Sequence, residues 1–353
     1  METSLWSKIK WLWERIWDFK RKSYPLSAMG AKLIGLSVVG SPVSTYCISL
    51  VLLPQYQILG IEWSKNMMTW MTFTLLLVPM VIGAFMISTE LKSLARNTAR
   101  VLITGLPGAS NDFPAGILSK SEQRFAREVI VLSVQDDDIE KQVVRYNSEV
   151  CVDLFKRFVL HHQCEKLYIG GLARIPFLVV YGVFLRNVSN VFYFDKIHRD
   201  TNWRLLNDED FNIQLNDCES LPKSNEDGDV GIALGLSTPI LTEHLPIKLQ
   251  NCTALITPTI KTERNLILNQ GNLQRISGSL VEMIDDLSRK SEVKKIHLFL
   301  SVQSSLAIEI GRRFQEGIHK TWIIHNFDGT KGQYRWALEL SEKGVQLSKS
   351  DSS

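Results

Sequence analysis

The sequence predicts an α/β protein: two transmembrane helices followed by two fused Rossmann-like halves with parallel sheets. Three features of the 353-residue chain predict this class. Two long apolar runs without charged residues stand near its start, short apolar strands alternate with helices from residue 98 onward, and one strand–helix segment occurs twice. Alternation of apolar strands with helices is typical of parallel sheets that are covered on both faces.

The two apolar runs, Leu33–Leu53 and Met67–Ser88, contain no Asp, Glu, Lys or Arg. Each is long enough for a helix that crosses a bilayer, which takes about 20 residues. Basic residues precede the first run and follow the second, whereas residues 54–66 between them carry only Glu62 and Lys65 as charged residues. By the positive-inside rule, residues 30–90 therefore form two spans with a short external loop, and both termini are cytoplasmic.

Residues 1–29 are predicted to form an amphipathic helix that lies on the membrane. Between Leu5 and Phe19 apolar side chains recur at helical spacing, and four tryptophans lie within the first seventeen residues. Indole rings favour the headgroup zone, and the basic residues of the opposite face suit anionic lipid. A helix packed on the remainder of the protein is the alternative.

The first span carries a row of hydroxyl side chains. Ser37, Ser41, Thr45 and Ser49 are spaced four residues apart, so they follow one face of a helix. Two helices cannot enclose a water path, whereas several copies of the chain can. We therefore predict that this face lines a pore in an oligomer and that the second span faces lipid. Hydroxylated and small residues also serve close packing between helices, which is the alternative.

The composition and the missing motifs disfavour several classes of protein. The net charge of +3 argues against a general DNA or RNA binder. The five cysteines form no C-x-x-C pair, which disfavours a disulfide framework or a zinc ribbon. The sequence lacks the motifs of P-loop hydrolases, dinucleotide-dependent oxidoreductases, serine hydrolases, zinc proteases and kinases. We therefore expect no enzyme activity, no metal and no cofactor.

Apolar segments after residue 98 predict eight strands, with helices between them. The predicted strands are Arg100–Thr104, Glu128–Val134, Lys166–Gly170, Val191–Asp195, Asp229–Leu236, Thr253–Pro258, Lys295–Ser301 and Thr321–Phe327. The predicted helices are Ile139–Leu160, Ala173–Asn187, Asn265–Arg289 and Ser304–Gln315. These elements form a first half at residues 98–206 and a second half at residues 229–345, joined by an acidic linker at residues 207–228.

One segment occurs in both halves. It reads KLYIGGLARIPFLVVYGVFLRN from Lys166 and KIHLFLSVQSSLAIEIGRRFQE from Lys295. Lys166 aligns with Lys295 and Gly182 with Gly311, so both pairs lie 129 positions apart. Each copy is a strand, a turn of small residues and a helix with a glycine near its middle, which indicates a duplication.

Ligands of open parallel sheets bind beyond the carboxyl ends of the strands, where helix N-termini offer N–H groups. Small and hydroxylated residues with a few cations, which suit phosphates, cluster at these ends in both halves. They are Thr104, Gly105, Ser133, Gln135, Gly170, Gly171 and Arg174, and then Ser237, Thr257, Lys261, Ser301, Gln303, Ser304 and Ser305. Trp203 and Tyr334, placed beyond the last strand of each half, are expected to stack on bases. Two such edges suit a ligand with internal repetition, such as a cyclic oligonucleotide.

The stretch IHLFLSVQSSLAIEIGRRFQ, followed by TWIIHNFDGTKGQYRWALEL, resembles the C-terminal half of SAVED domains. The residues that match the family pattern are His297, Leu298, Phe299, Leu306, Ala307, Gly311, Arg312 and Tyr334. Gln303 stands where the family usually has proline. The resemblance covers residues 100–345 and implies two halves akin to the CRISPR-associated (CARF) sensors of ring nucleotides.

With two spans in front, the chain resembles the two-transmembrane SAVED effectors of bacterial CBASS anti-phage systems. The resemblance implies that a cognate nucleotidyltransferase makes a cyclic di- or trinucleotide and that the SAVED region binds it. A homo-oligomer, expected to be a tetramer, then forms or rearranges in the inner membrane and permeabilises it, so that the infected cell is arrested. The expected partners are the cyclic oligonucleotide, membrane lipid and further copies of the chain, and no DNA or RNA polymer.

Two other functions stay open at this point. One is a ring nuclease that cleaves the cyclic nucleotide, to which Lys261, His297 or His325 would contribute. Both histidines lie within predicted strands, where a buried structural histidine is the commoner case. The other is a membrane anchor that recruits a partner without forming a pore.

Overall fold

The computed structural model describes residues 26–37, 77–90, 98–106, 112–118, 129–133, 139–150, 166–186, 188, 190–198, 202–207, 212–216 and 221–349. The chain forms two compact units, Met1–Ala95 and Arg96–Ser353. Residues 1–25 of the predicted interfacial helix lie outside the described residues. So do residues 38–53 and 67–76 of the predicted spans, among them Ser41, Thr45 and Ser49.

The described part of the first unit is a pair of helices, α1 (residues 26–37) and α2 (residues 77–90). A Cβ on Gly30 would lie 2.6 Å from the carbonyl oxygen of Gly83, and a Cβ on Gly83 would lie 2.6 Å from that of Gly30. The Glu90 carboxylate accepts the backbone N–H of Ser27, one of the donors that the start of a helix leaves without an intrahelical partner. The two glycines thus allow the backbones to touch, and a carboxylate holds one end of the pair.

The helix pair turns its apolar side chains outward. Leu36 and Phe85 are each 68% exposed, whereas Ser27, Ser37 and Glu90 are buried. The Oγ of Ser37 donates to a carbonyl oxygen of its own helix, 2.7 Å away. This arrangement is the reverse of the pattern that helices show in water, where the apolar stripe faces inward. No helix in the described ranges is both long enough and apolar enough to cross a bilayer.

Among the described residues of the second unit, five strands form a first sheet in the order β2-β1-β3-β4-β5. The strands are β1 (Thr98–Thr104), β2 (Val129–Ser133), β3 (Lys166–Leu172), β4 (Val191–Lys196) and β5 (Trp203–Leu205). β1 to β4 are parallel, and β5 is antiparallel to β4. This sheet and the helices α3 (Ile139–Arg145) and α4 (Ile175–Val183) belong to the described part of the first half.

A second sheet has six strands within the described ranges, in the order β11-β10-β9-β8-β6-β7. The strands are β6 (Asp229–Gly235), β7 (Thr253–Ile256), β8 (Lys295–Ser301), β9 (Thr321–Asp328), β10 (Gln333–Ser341) and β11 (Gly344–Lys349). β6 to β9 are parallel, whereas β10 and β11 are antiparallel to their neighbours. This sheet and the helices α5 (Gln270–Arg289) and α6 (Ser304–Arg312) make up the second half.

The predicted alternation of strands and helices is confirmed over the described residues, but the sheets are mixed rather than purely parallel. The strands that the sequence did not predict are β5, β10 and β11. Each follows its neighbour after a short connection, because an antiparallel pair needs no crossover helix. Positive φ angles of 66° at Gly332 and 97° at Gly344, which glycine adopts without strain, make the tight turns that lead into β10 and β11.

The two halves have the same strand order. The series β2-β1-β3-β4-β5 in the first sheet corresponds to β7-β6-β8-β9-β10 in the second. α4 follows β3 as α6 follows β8. The structure therefore has the repeated topology that a duplication predicts.

α4 and α6 cross at the glycines that the sequence repeat aligns. A Cβ on Gly311 would overlap the carbonyl oxygen of Val179, and a Cβ on Gly182 would overlap that of Ile308. Val179 and Ile308 are also 129 positions apart, so each helix makes the same contact with the other. Val179 of α4 meets Gly311 of α6, whereas Gly182, which comes later in α4, meets Ile308, which comes earlier in α6. The two helices therefore run antiparallel. This crossing puts the two halves in backbone contact.

One apolar core runs through both halves. α4 is buried from Pro176 to Val183, and the core around it includes side chains of both sheets, α5 and α6. The outer face of each sheet carries a smaller cluster, which includes Phe194 in the first half and Phe299 in the second. Both faces of the sheets are thus covered, so a ligand meets the sheets at the ends of their strands.

Replacing Gly311 with valine is expected to lower the free energy of unfolding of the second unit by about 3 kcal/mol, because the added atoms clash with a carbonyl group of a packed helix. Chemical denaturation of the full chain, followed by tryptophan fluorescence, measures the loss. Gly329→Ala is the matched control: a Cβ there meets nothing within 4 Å, and the change should cost less than about 0.5 kcal/mol. Equal losses in the two variants would contradict the crossing described above.

Candidate functional site

The strand order places a topological switch point between β1 and β3 and another between β6 and β8. At such points the chain leaves neighbouring strands in opposite directions, which makes a crevice at their carboxyl ends. We call residues 104–106 and 172–174 the first edge, and residues 235–238 and 301–304 the second edge. They are the places where the fold allows a ligand to reach both strands of each pair.

The same backbone hydrogen bonds close both edges. In the first edge, the N–H groups of the two residues after β1 donate to the carbonyl oxygen of Leu172 at 3.0 and 3.2 Å. In the second edge, the N–H groups of Leu236 and Ser237 donate to the carbonyl oxygen of Ser301 at 2.9 and 2.8 Å. The structure thus places the predicted residue Gly105 at the first edge, and Ser237 and Ser301 at the second, within the same hydrogen-bond pattern.

A buried carboxylate joins the first half to the second edge. Asp195, near the end of β4, accepts the N–H of Ser305 at 3.0 Å, the hydroxyl of Ser305, and the Nε2 of Gln303 at 3.2 Å. Gln303 also binds both backbone groups of Ile267, since its Nε2 donates to the carbonyl oxygen at 3.0 Å and its Oε1 accepts the N–H. We call Asp195, Gln303 and Ser305 the Asp195 latch. Gln303 and Ser305 are thus engaged inside the protein, and their contact with a ligand stays a prediction.

Burial and hydrogen bonding act on the Asp195 carboxyl group in opposite directions. Burial raises its pKa above the ordinary value, and the hydrogen bonds from Ser305 and Gln303 partly offset that rise. The group also lies at the N-terminus of α6, where the positive end of the helix dipole stabilises an anion. α6 therefore begins against an anionic group that the protein itself supplies.

The first edge presents a cation instead. Arg174 directly precedes α4 and is exposed, and its Cζ lies 5.8 Å from the ring centroid of Trp336. Trp336 is buried in β10 of the second half. When a guanidinium stacks on an aromatic ring, its N–H donors in the guanidinium plane stay available to hydrogen-bond another group. Arg174 is therefore well placed to bind an anion at this edge.

The other residues predicted at the first edge lie below it or outside the described residues. Thr104 is buried at the end of β1, Ser133 ends β2, and Gln135 lies outside the described residues. Gly170 and Gly171 lie within β3, where a Cβ would meet a phenylalanine ring of β4 or a leucine of α4. The two glycines therefore allow close packing around β3, and a role in ligand binding stays a prediction.

The residues predicted around the second edge are spread over its loops. Lys261 is exposed on the loop after β7, and Ser304 begins α6. Thr257 accepts a hydrogen bond from Asn216 at 2.9 Å, which ties that loop to the acidic linker. Ile213 in the linker is buried. The described part of the linker is therefore packed on the second half.

Trp203 and Tyr334 were predicted beyond the last strand of each half, and this placement is wrong. Both lie within antiparallel strands, β5 and β10, which the sequence did not predict. Trp203 packs edge-on against Phe194 at 5.3 Å between ring centroids, and Tyr334 packs against Phe299 at 4.8 Å. Their rings belong to the outer clusters of the two sheets, and stacking on a base stays a prediction.

His297 and His325 bind each other on the outer face of the second sheet. The Nδ1 of His297 lies 2.9 Å from the Nε2 of His325, and the other nitrogen of His297 lies 3.7 Å from the carboxylate of Asp229. Phe299 stacks on His325 at 4.2 Å. Burial, and then the charge of His297, hold the pKa of His325 well below its ordinary value. The described residues contain no group of three or more side chains suited to hold a metal ion.

Sequence reasoning missed an ionic cluster that fastens α6 to the first half. Arg312 donates to Glu309 at 2.8 Å, to the hydroxyl of Tyr193 at 2.9 Å and to the carbonyl oxygen of Leu185 at 3.1 Å. Glu309 also accepts the hydroxyl of Tyr193. The guanidinium binds carbonyl groups just beyond the C-terminus of α4 and so complements the negative end of that helix. The sequence signal that could have revealed this cluster is the spacing of Glu309 and Arg312, three positions apart on a largely apolar helix.

Two fused Rossmann-like halves with the same strand order define a duplicated α/β domain. The family model described as "SMODS-associated and fused to various effectors sensor domain", abbreviated SAVED, matches residues 153–340. The match covers more than half of the 353-residue chain. The protein therefore belongs to the SAVED family.

Solved structures to which this chain is similar include two Cap4 SAVED/CARF-domain containing receptors. The receptor of Acinetobacter baumannii with the cyclic trinucleotide 2′3′3′-cAAA shares 13% identity with this chain, at 88% coverage of this chain and 76% of that one, with a TM-score of 0.44. The receptor of Moraxella osloensis shares 11% identity, at 92% and 76% coverage, with a TM-score of 0.42. No curated protein matches this sequence.

Asp195→Ala is expected to lower the free energy of unfolding by about 3 kcal/mol, because it removes the acceptor of the buried N–H and hydroxyl of Ser305 and one of the two acceptors of the Gln303 amide. Thermal and chemical denaturation measure the change. Asp328→Ala is the matched control, since it removes a carboxylate whose partners, Arg335 and the N–H of Thr330, belong to exposed residues, and its cost should be clearly smaller than that of Asp195→Ala. Similar costs for the two variants would show that the Asp195 latch does not hold the halves together.

The free energy of unfolding is expected to fall as the pH drops below 6.5, the ordinary pKa of histidine, because folding keeps His325 neutral while the unfolded chain takes up a proton. The stability that depends on neutral His325 is complete above that pH. It is lost as the pH falls towards the lowered pKa of His325 in the folded protein, at up to about 1.4 kcal/mol per pH unit. His325→Phe should remove this slope in denaturation curves between pH 7 and 5. Tyr334→Phe alters the same cluster but keeps the imidazole, so its slope should match that of the unaltered protein. A slope unchanged in His325→Phe would exclude His325 as its source.

Proposed function

We propose that the protein is a membrane effector of bacterial CBASS anti-phage defence, gated by a cyclic oligonucleotide. A cyclic di- or trinucleotide, made by a cognate nucleotidyltransferase, binds the SAVED region. The chains then assemble or rearrange as a homo-oligomer, for which a tetramer is our expectation. The assembled spans open a pore in the inner membrane, and the infected cell is arrested. The protein itself performs no catalysis in this scheme.

The observation that carries this proposal is the combination of a SAVED region with the helix pair of the first unit. The family is described as a sensor domain fused to various effectors, so the part outside the sensor is the natural candidate for the effector. In this chain that part contains α1, α2 and the two apolar runs. An effector without catalytic motifs, made of apolar helices, acts most directly on a membrane.

The helix pair supports membrane residence through its polarity. Apolar side chains cover its outside, while glycines and buried polar groups lie between α1 and α2. Lipid tails are as apolar as leucine, so helices in a bilayer associate through close backbone contact and polar groups rather than through an apolar seam. The Gly30–Gly83 contact and the Glu90–Ser27 hydrogen bond are of this kind. Basic residues outside both runs favour an inner-membrane orientation with both termini in the cytoplasm.

The choice of ligand class rests on the SAVED family and on the two edges of the second unit. The Acinetobacter baumannii Cap4 receptor has been solved with 2′3′3′-cAAA and with 3′3′3′-cAAA. In the present chain, Arg174 at the first edge and Lys261 on the loop after β7 are exposed cations, which suit the phosphates of such a ligand. DNA and RNA polymers are not expected as partners, given a net charge of only +3.

Gating requires that the ligand favour one state of the protein over another. A nearly complete switch needs about 5.5 kcal/mol of differential binding. A cyclic ligand that contacts more protein in the assembled state supplies such a difference. In the single chain Ser37 is buried against its own helix, so the proposed wet face of Ser37, Ser41, Thr45 and Ser49 belongs to the assembled, ligand-bound state.

Ligand-dependent leakage from liposomes tests this function. The full chain is reconstituted in dye-loaded vesicles of inner-membrane phospholipid and exposed to a panel of cyclic di- and trinucleotides that includes 3′3′3′-cAAA. We expect one ligand to raise the leakage rate about tenfold or more, as a population shift of a few kcal/mol allows. The double variant Ser41→Leu/Thr45→Leu should bind the ligand but leak less. The matched double variant Thr72→Leu/Thr74→Leu, in the second span, should leak normally.

The outcomes separate the proposed function from its alternatives. Ligand binding without leakage would favour a membrane anchor that recruits a partner. Conversion of the ligand to a linear product, followed by chromatography, would favour a ring nuclease, although His297 and His325 are bound to each other in an outer cluster. Binding of no member of the panel would contradict the proposed class of ligand.

A further inference from the structure

The strand register shows which residues of the two halves correspond around the starts of α4 and α6. Gly170 pairs with Phe194 in the first sheet, and Phe299 pairs with His325 in the second. Gly170 and Phe299 are 129 positions apart, so Phe194 corresponds to His325. The next residues along β4 and β9 therefore correspond as well. The residues at the starts of α4 and α6 are related by the offset of 129 positions that the sequence repeat gives.

This correspondence gives three pairs of residues. Asp195 of β4 corresponds to Asn326 of β9, Gln303 corresponds to Arg174, and Ser305 corresponds to Pro176. Each set combines the end of a strand in one half with the start of a helix in the other half. The chemistry of the two sets can therefore be compared position by position.

The start of α6 is occupied by the Asp195 latch. Asp195 is 4% exposed and Gln303 is 8% exposed, and the polar groups of Ser305 bind the carboxylate. This set carries one negative charge, which already takes up the donors that a phosphate of a ligand would need. The second edge therefore has no anion position left at its helix.

The corresponding set at the start of α4 carries a positive charge and contains no carboxylate. An amide, Asn326, stands in place of the carboxylate, and Pro176 has neither the N–H nor the hydroxyl of Ser305. All the strong donors of this set belong to Arg174, which is exposed. At the start of α6 the first half supplies an anion, Asp195, to the donors of the second half, whereas the start of α4 has a cation that faces solvent.

We propose that the two edges have diverged, so that each chain has a single helix-start phosphate anchor, formed by Arg174 over Trp336. A phosphate of the cyclic oligonucleotide binds Arg174 at the first edge, while the Asp195 latch keeps the corresponding place in the second half closed and fastens the halves together. This inference rests on the proposed ligand class and adds the residue that holds its phosphate. Trp336 acts as a positioning residue, since it orients the guanidinium from the other half.

This assignment follows from what each side chain can do in its surroundings. A guanidinium presents a planar pair of donors to a phosphate, and an aromatic ring beneath it restricts its rotation before the ligand arrives. Less conformational entropy is then lost on binding. Since Trp336 lies in the second half and Arg174 in the first, the anchor exists only while the halves stay in contact.

Binding measurements on the full chain test the anchor, with 3′3′3′-cAAA and cyclic dinucleotides as probes in calorimetric titration. Arg174→Ala should weaken binding about 10- to 100-fold, the loss expected for a charge-assisted contact, and should reduce its dependence on ionic strength. Arg174→Lys, which keeps the charge without the planar fork, should recover part of the affinity. Trp336→Leu should weaken binding while the dependence on ionic strength stays as in the unaltered protein.

Arg289→Ala is the matched control, because Arg289 is an exposed arginine at the end of α5 and its removal changes the net charge by the same amount. Thermal melting shows whether each variant is folded, and exposed Arg174 can be removed without disturbing the core. If Arg174→Ala binds like Arg289→Ala while the unaltered protein binds a probe, the anchor is wrong and the proposed function stands. If the unaltered protein binds no probe, both are overturned.

Discussion

The second unit depends on the contact between Gly182 and Gly311. A side chain on either glycine would overlap a carbonyl oxygen of the opposite helix. α4 and α6 can therefore approach this closely only because both positions are glycine. The contact fixes the distance between the two sheets and thereby the distance between their carboxyl edges. It also explains why glycine stands in the middle of two helices, where it costs about 1 kcal/mol relative to alanine. The loss in helix propensity is offset by packing across the whole interface.

Around this shared backbone the two halves differ in chemistry. Phe194 in the first sheet corresponds to His325 in the second, and the Asp195 latch corresponds to a set that contains Arg174. The cluster of Arg312, Glu309 and Tyr193 fastens α6 to the first half, whereas the residues that correspond to Glu309 and Arg312 on α4 are valines. A duplicated fold thus keeps its packing geometry while its polar groups divide two tasks, holding the halves together and presenting a cation to solvent.

The sequence predicted the strands and helices well because apolar periodicity and the repeat are local signals. It missed β5, β10 and β11, which are a short strand and a hairpin at the edges of the sheets and have no helix between them to mark their ends. For the candidate site, strand ends indicated the correct region, but a single sequence cannot show which polar groups are already bound. Asp195 and Ser305 are 110 positions apart, and only the fold brings them together. Trp336 was missed because an aromatic residue in an apolar strand looks like core.

The amide of Gln303 has a consequence for how this molecule opens. One uncharged side chain binds Asp195 of the first half and both backbone groups of Ile267, so three distant segments of the chain meet at a single residue. Neither Asp195 nor Ile267 can leave its place without breaking hydrogen bonds to Gln303, and Gln303 cannot leave without breaking its bonds to both. Local opening of one half alone is therefore costly, and the duplicated region is expected to unfold as one cooperative unit rather than as two.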